Sequence, residues 1–256
     1  MGQVLGAQNP RIAELRRLIG RRSSRSGLVV VEGPRTISEL LDAGLVPDTI
    51  IVPESDMDAE AVVAVERRLP RAAEWLVVRD HAFERLAPSK SPQPMLALVP
   101  RPQPALPALG PEAVVLVLAE VGDPGNVGTL MRSAEAVAAD AVVTVGGADP
   151  WGPKVMRSSA GSLLRIPVVT YDDLDDALDA LREAGLRIVG TDVRVGEPHD
   201  GGVLAPPVAI VVGNEPHGLD RETGVDNWVH ISMPGRTESL NVAMAGTLLL
   251  FEAVRS

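Results

Sequence analysis

Along the first hundred positions, apolar residues alternate between two rhythms. Ile12, Leu15, Leu18 and Ile19 recur three and four apart and predict a helix. The run LVVVEG then predicts a strand stopped by Gly33-Pro34, and Thr36 to Ala43 returns to helical spacing. TIIV, WLVV and MLALV predict further strands, separated by helical segments over 58–69 and 81–86. This alternation predicts a small α/β module.

The pattern resumes after residue 111 with VVLVL, a helix from Val127 to Val137, AVVTV, a short helix near Lys154, and IPVV. An acidic helix follows, whose stripe Leu174, Ala177, Leu178 and Leu181 leaves its Asp residues outside. LRIVGT, VAIVVG, a short segment after Leu219, WVHIS and a helix from Leu240 to Val254 complete the series. Strands that are apolar throughout and alternate with helices predict a mostly parallel sheet covered on both faces. Between the two series, PRPQPALPALGP (Pro100 to Pro111) holds five prolines in twelve residues, which disfavours helix or central strand and predicts a stiff extended connector. The expected division is therefore 1–99, a linker 100–111, and 112–256.

Composition narrows the chemistry. The 256 residues suit two modest cores better than one, and 45% apolar content with only 2% aromatics means packing by Val, Leu, Ile and Ala. Zero cysteines remove disulfides, Cys-ligated zinc and thiolate nucleophiles, and the four histidines, at 81, 199, 217 and 230, lack metal-ligand spacing, so no metal is expected. No apolar run is long enough for a membrane span, and MGQVLGAQNPRI lacks the order of a signal peptide, which together predict a cytoplasmic protein. A net charge of −10 argues against indiscriminate coating of nucleic acid. Charge is uneven, however. Arg11 to Arg35 carries seven Arg against Glu14 and Glu32, which fits a solvated face or an RNA-phosphate contact equally well, whereas the five Asp between Tyr171 and Glu183 read as a solvated helix face.

Open α/β sheets bind ligands beyond the carboxyl ends of their strands, and three clusters occupy such places. In AEVGDPGNVGTLMRSAEAVAAD, Asp123-Pro124-Gly125 predicts a turn, Asn126 a helix N-cap, and Arg132 lies on the helix that follows. Gly122, Gly125 and Gly128 are spaced G-x-x-G-x-x-G, not G-x-G-x-x-G, which disfavours a nicotinamide cofactor and the ordinary Gly-rich methyltransferase loop; a tight turn with an exposed Arg fits this cluster as well. In VAIVVGNEPHGLD an apolar strand runs into Gly213, where a ligand can lie against bare backbone beside Asn214 and Glu215, although a plain polar turn fits equally. In VHISMPGRTESLNVAMAGTLLLFEAV, Gly235 and Thr237-Glu238-Ser239 precede a helix with Ser239 as its expected N-cap; Ala243, Ala245 and Gly246 permit close packing.

Jointly, and in this order, DPGNVGTLMRSA, VVGNEPHGL and ISMPGRTESLNVAMA resemble the three motifs of the SpoU/TrmH family of SPOUT-class RNA 2′-O-methyltransferases. The resemblance covers 111–256. RSGLVVVEGPRTISELLDAG is similar to the substrate-binding domain of ribosomal-RNA members, an L30e-like α/β fold. Ser232 departs from the Ile-Pro-Met that usually opens the third motif, which alters the local loop.

The resemblance implies a C-terminal trefoil knot, a homodimer to which Leu248, Leu249, Leu250 and Phe251 could contribute, and methyl transfer from S-adenosylmethionine to a ribose 2′-hydroxyl of RNA, foremost ribosomal RNA. Cofactor contacts map onto Gly213, Ile231 and Leu240, joined by Thr191, Asn214, Glu215, Met233, Gly235 and Ser239. Catalytic positions map onto Asn126, Arg132, Glu215, Ser239 and Asn241. A guanidinium stays charged, so Arg132 is expected to hold a phosphate or the hydroxyl. Glu215 would orient it or accept the proton, while Asn126, Ser239 and Asn241 would fix the nucleophile and the cofactor tail. A catalytically silent RNA-binding homologue and a tRNA-directed SPOUT methyltransferase are the competing readings.

Overall fold

The computed structural model describes residues 4–20, 27–214 and 217–255. The chain divides into two compact units, one of residues 1–102 with 151–153 and one of 103–150 with 154–256.

In the first unit, helix α1 (Pro10–Gly20) precedes β1 (Leu28–Glu32), α2 (Pro34–Asp42), β2 (Thr49–Pro53), α3 (Glu60–Glu66), β3 (Glu74–Val78), α4 (Asp80–Leu86) and β4 (Leu96–Pro100). The strands form a sheet of order β1-β4-β2-β3 in which β4 runs antiparallel to β1 and β2, and β2 parallel to β3. Ile12 and Leu15 of α1 and Phe83 and Leu86 of α4 close over Val30, Ile51 and Leu98. The expected α/β module is found; α2 and α4 begin two and one residues earlier than expected, and α3 is shorter by two residues at its start and three at its end.

The second unit contains β5 (Val114–Ala119), α5 (Pro124–Ala136), β6 (Ala141–Val145), α6 (Pro153–Ser158), β7 (Val168–Tyr171), α7 (Leu174–Glu183), β8 (Arg187–Thr191), β9 (Glu197–Pro198), β10 (Val208–Val212), β11 (Asn227–His230) and α8 (Val242–Ala253). Its seven strands lie in the order β7-β6-β5-β10-β8-β11-β9, and every pairing is parallel. The chain first builds outward through β6 and β7, then places β8 on the other side, and β10 later fills the position between β5 and β8. All five residues of β10 are buried, as a strand flanked on both edges and both faces requires. Helix α7 covers one face through Ala177, Leu178 and Leu181, while α5 and α8 pack together on the other.

Two expectations need correction. Helix α5 starts at Pro124, not Val127, because Asp123 is the N-cap: its carboxylate accepts the backbone N–H groups of Gly125 and Asn126, and proline fits the first helical position. Helix α8 starts at Val242, capped by Asn241 and not by Ser239; Asn241 Oδ1 accepts the N–H groups of Ala243 and Met244. The proline-rich segment has no helix or strand between β4 and β5, and Leu106 and Leu109 in its latter half pack on the core of the second unit.

No helix among the described residues is long and apolar enough to cross a membrane. No group of three or more potential metal-ligating side chains occurs among them.

Candidate active site

Parallel strands all point their carboxyl ends the same way, so the loops after β8, β10 and β11 gather at one edge of the sheet. They enclose a cavity of about 490 Å³. Thr191 at the end of β8 and Asp192 directly after it, Gly213 and Asn214 after β10, Val229 and Ile231 around β11, and Ser239 to Asn241 ahead of α8 all line it. Val242, Ala245 and Leu249 of α8 add a wall at helical spacing.

Each lining segment has a local reason for its course. A Cβ on Gly213 would overlap the backbone of Gly218 and Leu219, because the loop folds straight back on itself through the Gly218 N–H to Asn214 carbonyl bond of 2.7 Å. The glycine is thus needed first for the loop's own closure, and only then for a ligand. Asn214 donates from Nδ2 to the Glu120 carbonyl at 3.2 Å, tying this loop to the end of β5. Its Oδ1 is buried and has no partner among the described residues, a vacant acceptor beside the cavity.

Segment 231–241 carries no helix or strand. Ser239 and Leu240 reach the cavity, and the chain turns helical only at Val242. Asn241 has two functions: its Oδ1 caps α8, and its Nδ2 donates to Asn126 Oδ1 at 3.1 Å. That bond joins the first and third sequence clusters. Ser133 and Thr247 hydroxyls, 2.6 Å apart, hold α5 to α8 further along.

At the start of α5, Asp123 is lowered from the ordinary carboxylate pKa. The backbone N–H of Asn126 lowers it most, followed by Lys154, whose ammonium lies 3.2 Å away, and the N–H of Gly125. Asp192 is also lowered: burial pushes it up, but the N–H groups of Arg194 and Val195 and the charges of Arg221 and Arg194 outweigh that.

Of the residues expected from sequence, Thr191, Gly213, Asn214, Ile231, Met233, Ser239, Leu240 and Asn241 line the cavity, and Asn126 touches it through Asn241. Gly235 is exposed and stands outside the lining. Glu215 lies outside the described residues. Arg132 is exposed on α5 and does not line this cavity; six residues beyond Asn126, it lies about a third of the way round the helix from it. Sequence reading missed Asp192, His217, Ala245 and Leu249. Asp192 was within reach of the strand-end rule, since it directly follows Thr191; Ala245 and Leu249 could have been found only by knowing which face of α8 turns towards β10.

In the first unit, Arg11 pairs with Glu14 and Glu74, and Arg35 with Glu39, while Arg16 and Arg17 are exposed. Arg21, Arg22 and Arg25 lie outside the described residues.

Comparison with known proteins agrees with this geometry. A family model described as the SpoU rRNA Methylase family matches residues 113–251, and one described as an MRM3-like substrate binding domain matches residues 9–97. A 23S rRNA (guanosine(2553)-2′-O)-methyltransferase of Bacillus subtilis is 28% identical over 98% of this chain and 98% of its own length. A 23S rRNA (uridine(2479)-2′-O)-methyltransferase of Streptomyces viridochromogenes is 31% identical over 97% of this chain and 91% of its own. Among solved structures, the SpoU methyltransferase AviRb from Streptomyces viridochromogenes in complex with AdoMet superposes with a TM-score of 0.87 at 29% identity, covering 97% of this chain and 98% of that one. An AdoMet-bound rRNA methyltransferase from Sinorhizobium meliloti gives 0.83 at 27% identity, over 99% and 98%. A parallel sheet with its cavity built from the second and third motifs, and a family match spanning most of that unit, lead to one assignment: the chain belongs to the SpoU rRNA methylase family.

Proposed function

We propose that the chain transfers a methyl group from S-adenosylmethionine to a ribose 2′-hydroxyl of ribosomal RNA. The observation that carries this reading is the single cavity lined by residues of the second and third motifs together, in a chain whose full-length relatives are named as 23S rRNA 2′-O-methyltransferases. The cavity fits the cofactor: Val229, Ile231, Leu240 and Leu249 offer apolar walls, and the vacant buried Oδ1 of Asn214 offers an acceptor. Thr191 and Ser239 hydroxyls would hold the polar tail. When bound, S-adenosylmethionine supplies a methyl on a sulfonium, and the protein's remaining tasks are alignment of the hydroxyl and relief of its proton.

The Asn126–Asn241 pair stands at the edge of the cavity and would orient the 2′-hydroxyl. Arg132 keeps its charge and would hold the phosphate next to the reacting ribose, with Glu215 orienting it. Its distance from its own cavity suits a homodimer in which Arg132 serves the partner's site. Met244, Leu248 and Phe251, exposed by 63%, 46% and 52%, form an apolar stripe on α8 that supports such an interface. The boundary between the RNA-binding module and the methyltransferase domain belongs in residues 100–111, with Arg16 and Arg17 of the module available to phosphate. The trefoil knot of the family would run through the segments after β10 and β11.

Calorimetric titration with S-adenosylmethionine should show saturable binding by the wild type and none by a folded Ala245→Phe variant, whose ring would enter the cavity. Labelled methyl should then appear on ribose in ribosomal RNA, at a linkage resistant to alkali. Label on a base, or no cofactor binding by folded wild type with RNA present, would overturn the proposal.

A further inference from the structure

The described residues lining the cavity include one carboxylate, Asp192, and neither Lys nor Arg. Asp192 is held ionised in place. Its Oδ1 accepts the backbone N–H groups of Arg194 at 2.7 Å and Val195 at 2.9 Å, and its Oδ2 accepts from the Arg221 guanidinium at 3.2 Å. The two charges of that ion pair are unequally screened. The Asp192 side chain is 14% exposed and that of Arg221 63%, so water damps the positive charge far more than the negative one. Arg194, exposed like Arg221, adds a second screened positive charge, so the fixed charge that lines the cavity among the described residues is the negative one of Asp192.

Methyl transfer changes the charge of the cofactor and little else about its shape. S-adenosylmethionine carries a sulfonium, an ammonium and a carboxylate, a net charge of +1. Its product, S-adenosylhomocysteine, has lost the sulfonium charge with the methyl group and is neutral. Apolar walls and hydroxyl contacts treat the two almost alike; a fixed carboxylate does not.

We infer that Asp192 is a specificity-determining residue that favours the cationic cofactor over its neutral product, and so eases product release after each transfer. This rests on the reading of the cavity as the cofactor site. Arg221 acts as its counterweight, tempering the field while positioning the carboxylate. Direct contact with the sulfonium is unnecessary, because a unit charge in a partly enclosed site acts over several ångströms.

The test is calorimetric titration of the intact protein with S-adenosylmethionine and, separately, S-adenosylhomocysteine. Asp192→Asn keeps an oxygen for the two backbone N–H groups, removes the charge, and replaces the oxygen that accepts from Arg221 with an NH2 donor. It should lower the affinity ratio of cofactor to product on the order of fivefold, almost wholly through the cofactor. Arg221→Gln should move the ratio the other way. Raising salt should reduce the wild-type ratio, a reading that needs no variant to fold. A ratio unchanged in Asp192→Asn, or both ligands weakened equally, would overturn the inference while leaving the cofactor site intact. Wild type that binds neither ligand would overturn the site assignment and this inference with it.

Discussion

Asn241 makes two kinds of contact from different atoms of one amide, a helix cap and the bond to Asn126 that is proposed to orient the 2′-hydroxyl. Oδ1 caps α8, and Nδ2 holds Asn126. Two substitutions should separate these tasks. Asn241→Ala loses both, and denaturant unfolding should show a loss of about 1 kcal/mol, the usual cost of a missing N-cap. Asn241→Asp retains the capping oxygen but loses the donor to Asn126, so unfolding should stay within a few tenths of a kcal/mol of wild type while methyl transfer falls about tenfold or more. Equal turnover in Asn241→Asp and wild type would remove the pair from the mechanism. The same residue shows what sequence conceals. Ser239 and Asn241 are both good caps two positions apart, and spacing does not choose between them. The choice falls on Asn241 because the chain turns helical only at Val242, where the bond from Asn241 to Asn126 also ties it to α5, a tertiary contact that local propensity does not register. At α5 the deciding signal was present: proline at the first helical position marks Asp123 as the cap, ahead of Asn126.

Among the elements, the packing of α5 on α8 holds the first motif beside the third. A Cβ on Gly246 would overlap the fully buried Leu130 of α5, so the helices approach as closely as they do because that side chain is absent. Gly246→Val should destabilise the fold by about 1–3 kcal/mol, the usual cost of overpacking. Because α8 also walls the cavity, cofactor affinity should fall too, readable as a smaller thermal shift on adding S-adenosylmethionine. A neutral effect on both would mean that Leu130 can move aside. The long elements were readable in advance because their pattern is a property of the chain: β5 and β10 are apolar throughout, as a sheet covered on both faces requires, and β6 and β8 depart from this only at Thr144 and at the Arg187, Gly190 and Thr191 positions. Strand β9, with two residues, is too short to have a period, and its pairing with β11 is decided by the partner strand. The insertion of β10 between β5 and β8 was equally invisible, since strand order depends on long-range pairing.

For the whole molecule, the question is how many chains make one working site. Met244, Leu248 and Phe251 lie on the side of α8 away from Leu249, Leu250 and Ala253, which are buried. The double variant Leu248→Glu/Phe251→Glu should therefore fold but sediment as a monomer where wild type sediments as a dimer. If Arg132 serves the partner's cavity, the monomer should still bind S-adenosylmethionine and lose methyl transfer. A wild type that is monomeric at micromolar concentration, or a monomeric variant with full turnover, would count against shared sites.

The bond between Asn126 and Asn241 spans 115 positions, and the cavity it borders draws residues from Thr191 to Leu249. A ribosome delivers these in order. When His230 emerges, every strand of the parallel sheet has been made, yet one wall of the cavity and the partner of Asn126 are still to come. Chains halted there would hold most of the sheet and no cofactor. Synthesis therefore times the onset of activity: an enzyme that modifies ribosomal RNA would acquire its methyl donor only once the stretch through Leu249 has left the ribosome making it.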